Sequence, residues 1–76
     1  MSERGDLFYH GIIAKLFRGS DMGVVRTASG REIPFSFQHV ILLGDLKIEE
    51  LRVGMEVGYD VSWTSNGLRV SKLKLL

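Results

Sequence analysis

The chain has 76 residues, 45% hydrophobic and 25% charged, with ten basic against nine acidic side chains and a net charge of +1. That length holds one domain around one core, and the composition is that of a folded domain, which excludes disorder. The absence of cysteine excludes disulfides and thiolate metal sites, and the balanced charge separates the chain from strongly basic nucleic-acid binders.

Taken in chain order, the first six residues, Met1 to Asp6, are polar and lack the apolar stretch of a secretory signal. Residues 1–7 are expected to form a flexible N-terminus, and residues 8–76 the domain. Phe8 to Phe17 is rich in aromatic and β-branched residues and predicts a strand. Gly19-Ser20-Asp21 reads as a turn, Met22 to Thr27 as a second strand, and Ala28-Ser29-Gly30 as its closing turn. Arg31 to Phe37 predicts a third strand, with Ile33, Phe35 and Phe37 alternating against Glu32, Pro34 and Ser36.

The next segment, 40–54, is longer. It carries the apolar run Val40-Ile41-Leu42-Leu43, then Gly44-Asp45, and the spacing predicts a short helical turn with Asp45 as N-cap and Ile48 and Leu51 on one face. Glu56 to Trp63 alternates with Val57, Tyr59 and Val61 on one side. Asn66-Gly67 signals a hairpin turn. Leu68 to Leu75 alternates with a break in phase after Val70, which predicts a bulge or a twist. No repeat or linker interrupts the chain, and no apolar run approaches the roughly 18 residues needed to span a bilayer. A soluble, cytoplasmic protein with no membrane partner is the expectation.

Five short strands with a long connection after the third predict an all-β domain, a small barrel whose closure removes exposed edges. The sequence carries the matching motifs. Gly11-Ile12-Ile13-Ala14-Lys15-Leu16-Phe17 is followed by Ser20-Asp21-Met22-Gly23-Val24-Val25, then Ile33-Pro34-Phe35-Ser36-Phe37, then Leu51-Arg52-Val53-Gly54-Met55-Glu56-Val57. From about His10 to Leu75 this order resembles the cold-shock domain. The shared frame is Gly11, Ile13, Gly23, Val25, Ile33, Phe35, Val40, Leu51, Gly54 and Val57. The resemblance implies a five-stranded oligonucleotide/oligosaccharide-binding (OB) barrel, with a long loop or short helical turn between strands 3 and 4.

The resemblance also implies a face on the first three strands where unpaired bases stack on aromatic rings. Carried over position by position, that platform is largely rewritten. Lys15 stands for a tryptophan, Met22 and Val24 for two phenylalanines, and Pro34 and Ser36 for a phenylalanine and a histidine. Only Phe37 keeps a ring, and Ile48 replaces an aromatic in the loop. Each stacked base contributes roughly 1–3 kcal/mol. Losing several therefore removes about 5 kcal/mol, on the order of a thousandfold in affinity.

The functional expectation is a weak or altered-specificity binder of single-stranded RNA or DNA. Its candidate residues are Lys15, Phe17, Met22, Val24, Arg26, Ser36 and Phe37. Lys15, Arg18, Arg26 and Arg31 either track phosphates or are solvated cations balancing Glu32, Asp21 and the other acids. Phe37 either stacks or, the favoured reading, packs at the barrel mouth. Met22 and Val24 either form an apolar patch for a protein partner or, the favoured reading, lie under residues 40–51. Trp63 either anchors a partner or, again favoured, caps its own core. An enzyme is not expected, nor a cofactor or metal: His10 and His39 have no companions at ligand spacing, and no nucleophile or acid–base pair has a recognisable pattern.

Overall fold

The computed structural model describes residues 8–76, so the expected flexible N-terminus, 1–7, lies outside the described residues. The chain is all-β. Strands β1 (Tyr9–Phe17), β2 (Met22–Thr27), β3 (Glu32–Ser36), β4 (Ile41–Leu42), β5 (Glu56–Thr64) and β6 (Gly67–Leu75) form one sheet of order β3-β2-β1-β5-β6-β4. Neighbours are antiparallel except β4 and β6, which run parallel.

Five strands were expected, and six are present among the described residues. The additional one is β4, where Ile41 and Leu42 pair with Lys72 and Leu73, and the Leu43 N–H donates to the Leu73 carbonyl at 2.9 Å. Its partner lies some thirty positions away in the chain, so no local pattern announces it. The helical turn also shifts from the expected start at Asp45: a single 3-10 turn forms at Ile48–Glu50. Gly44 takes a left-handed φ of 67° and turns the chain so that Leu46 packs on the core. Lys47 then leads the turn, its N–H donating to the Glu50 carboxylate at 3.0 Å. Ile48 and Leu51 face the core, as their spacing predicted.

The order of strands forces the sheet to curl. Its two edges, β3 and β4, are consecutive in the chain, with only residues 37–40 between them. Five residue steps reach at most about 18 Å, whereas a flat six-stranded sheet would hold its edges about 24 Å apart. The curl brings β3 against β6. It also gathers the inward side chains Ile13, Val25, Ile33, Phe35, Leu51, Val57, Tyr59, Val70 and Leu73 into one core. At about 1.5–3 kcal/mol for each large side chain taken from water, this cluster is the main stabilising element of so short a chain.

Two bulges reset which side chains point inward. On β1, Ile13 pairs with Val25 but Lys15 pairs with Val24, so Ala14 is the extra residue. On β6, Asp60 and Val61 pair with Lys72 and Val70, leaving Ser71 extra. The second bulge is the phase break read from the sequence after Val70. At the hairpin tip, Ser65 and Asn66 keep negative φ and Gly67 takes 107°. Ser65 and Asn66 are therefore the two central residues of the turn, and Gly67 pairs with Thr64 as the first residue of β6, in place of a turn centred on Asn-Gly with positive φ at both central positions. The Thr64 hydroxyl donates to the Gly67 carbonyl and accepts from the Asn66 N–H.

Candidate nucleic-acid interface

The bulge at Ala14 has a direct effect on the outer face. Strict alternation from the buried Ile13 would turn residues 15 and 17 inward. With one residue inserted, Leu16 packs on the core, while Lys15 and Phe17 are exposed. The register then sets three rows across β1, β2 and β3. Phe17 lies beside Met22 and Ser36, Lys15 beside Val24 and Pro34, and Ile12 beside Arg26 and Glu32. Six of the seven candidate residues thus share one face.

The seventh does not join them. Phe37 follows the end of β3, where its N–H donates to the Asp21 carbonyl at 2.9 Å. Its ring packs against the core, 5.9 Å from that of Phe35. Half-buried there, Phe37 lies apart from the three rows. Phe17 is 50% exposed and Met22 40% exposed, so the 40–51 segment does not bury them. That segment instead turns its apolar side chains Val40, Leu42, Leu46, Ile48 and Leu51 toward the core. Val24 and Pro34 are half-buried between their neighbours.

The cations of the face are not equivalent. Arg18 donates to the carbonyls of Ile48 and Leu51 at 3.2 and 2.7 Å, which ties the 3-10 turn to the end of β1. It acts as a clamp for the long connection, leaving Lys15 and Arg26 as the cations in the rows. Both reach Glu32: Arg26 at 2.9 Å to one carboxylate oxygen, Lys15 at 3.5 Å to the other. The hydrogen bond from Arg26, and then the charge of Lys15, hold the Glu32 carboxyl below the usual carboxylate range. From the sequence, Glu32 is expected only as one of the acids that balance these cations. Its signal is alternation: it lies two residues before Pro34, on the outer phase of β3.

Beside the row of Phe17, Met22 and Ser36 opens a cleft of about 710 Å³ between the β1–β2 connection, the end of β3 and the β5–β6 hairpin. Met22, Ser36, His39, Ser62, Asn66 and Arg69 are among its lining residues. Most of the residues around it carry neutral polar side chains, and the buried Phe35 and Val70 form part of the floor. Sequence reasoning missed this cleft because its walls come from three separate segments.

Trp63 departs from the favoured expectation of a core cap. It lies two residues beyond Val61 on β5 and is 78% exposed, whereas its cross-strand partner Leu68 packs on the core. Trp63→Ala is therefore expected to change stability by less than about 0.5 kcal/mol. Urea denaturation followed by far-ultraviolet circular dichroism checks this, and a loss of several times that size would return the ring to the core. Among the described residues, no group of three or more His, Cys, Asp or Glu side chains is placed to hold a metal, and no helix is long and apolar enough to cross a membrane. Compared with known proteins, the chain matches no family model and no curated sequence.

Proposed function

We propose that the curled sheet is an OB-type barrel of the cold-shock kind, and that its three-stranded outer face binds single-stranded RNA or DNA with modest affinity. The observation that carries this reading is the shared face of Phe17, Met22, Lys15 and Val24 in two adjacent rows, opening onto a hydrogen-bonding cleft. An unpaired base stacks on the Phe17 ring and against the Met22 side chain. Lys15 and Arg26 meet the backbone phosphates, and the cleft receives base edges. One ring and two cations replace a full aromatic platform. Such an interface is weaker than a stacking surface and more dependent on salt.

Amide NMR titration with short oligo(U) and oligo(dT), at low and at physiological salt, tests the reading. Shifts are expected at Lys15, Phe17, Met22, Val24 and Ser36, extending to Asn66, and they shrink as salt rises. No shifts at low salt would end it.

A second reading is favoured by the exposure of Met22 beside Phe17. The apolar patch of Phe17, Met22, Val24 and Pro34 then serves a protein contact, since Met adapts to irregular surfaces. Val24→Asp would abolish such a contact while leaving the fold intact. Oligonucleotide binding on these same residues decides against this reading.

A further inference from the structure

The rows of the outer face contain one acid at their centre of charge. Glu32 on β3 is the direct cross-strand partner of Arg26 on β2, and it reaches across to Lys15 on β1. The two cations use different oxygens of the same carboxylate, at 2.9 and 3.5 Å. The three side chains stay between about one third and one half exposed, at 46% for Arg26, 52% for Lys15 and 36% for Glu32. The arrangement is a two-oxygen anion held between two cations at the surface, the same contact that a phosphodiester group would make.

We propose that Glu32 is an internal competitor for the nucleic-acid face, occupying Lys15 and Arg26 in the free protein and yielding to backbone phosphate on binding. This rests on the reading of the face as a single-strand binder and names the residue that sets its affinity and salt response. Exposed ion pairs of this kind are weak, so a strand that presents several phosphates and also stacks on Phe17 displaces the carboxylate. A ligand with a single phosphate and no base competes poorly. The near-neutral charge of the chain is then a local property as well as a global one: the face has cations, but they are engaged until a strand arrives.

The test compares wild type, Glu32→Gln and Asp45→Asn for binding of fluorescein-labelled oligo(dT) by anisotropy over a salt series. Asp45 lies in a separate hollow with Leu43, Lys74 and Leu75, so Asp45→Asn makes the same change in net charge away from the face. Glu32→Gln is expected to tighten binding about three- to tenfold at low salt and to steepen the logarithmic salt dependence by about 0.7 for each cation released. Asp45→Asn is expected to leave both unchanged. Lys15→Ala should then cost more affinity in the Glu32→Gln background than in wild type. Wild type that binds while Glu32→Gln and Asp45→Asn behave alike would overturn the competitor and leave the single-strand reading standing. Absence of binding by both wild type and Glu32→Gln at low salt, with circular dichroism showing folded protein, would remove the single-strand reading and the competitor with it.

Discussion

Gly23→Ala is expected to destabilise the domain by about 3 kcal/mol. A Cβ at residue 23 would lie 2.4 Å from the tip of the Phe35 ring and within 3.0 Å of both flanking ring carbons. Gly23 and Phe35 are cross-strand partners on β2 and β3, and Phe35 is fully buried. The ring packs against Phe37 and the rest of the core, so admitting the Cβ displaces it from those contacts. A chain of this length has a total stability of about 4–11 kcal/mol, so the loss is a large share of it. Urea denaturation by circular dichroism gives the value. Gly19→Ala is the companion measurement: nothing lies within 4 Å of its Cβ position, so a change within about 0.5 kcal/mol is expected. Shrinking the obstacle with Phe35→Leu should reduce the additional cost of Gly23→Ala. Equal costs at residues 19 and 23 would show that the close approach of glycine and ring does not govern stability.

The second large effect is on binding. Phe17→Ala is expected to weaken oligonucleotide affinity about five- to hundredfold, the range spanned by the loss of one stacked base. The slope with salt should stay nearly unchanged, since no charge is lost. Phe17 is half exposed at the end of β1, so its removal leaves the core intact. Phe37→Leu gives the contrast. Its ring packs on the core beside Phe35, so that substitution lowers the melting temperature and leaves affinity within about twofold under conditions where the domain stays folded. Anisotropy titrations of the two variants separate the roles. Loss of affinity at Phe37 with none at Phe17 would move the stacking ring away from the proposed face.

These two substitutions also mark where reading the sequence works and where it stops. Gly23 and Phe35 belong to the frame that the family resemblance implied. Ile13, Val25, Ile33, Phe35, Leu51 and Val57 are all buried, Gly11 and Gly23 allow close approaches, and Gly54 takes a φ of 92°. Such features are local in origin: alternation of apolar residues selects the inward side, and glycine marks turns and tight contacts. The phase break near Ser71 was legible for the same reason. Phe17 shows the opposite. Alternation with Ile33 and Phe35 turns Phe37 inward, whereas only the bulge at Ala14 turns Phe17 outward.

Five of the strands and much of the core were determined by the sequence itself, because they follow from a repeat of two residues and from punctuation by Gly, Asn and Asp. Only the tertiary structure decided that Ala14 is bulged, that Ile41 and Leu42 form a strand, that Trp63 projects past the core and that Glu32 holds two cations. Each of these depends on register or on a partner distant in the chain. A shift of one residue in register turns every following side chain to the other face, and that register is chosen by pairing between strands rather than by any one of them.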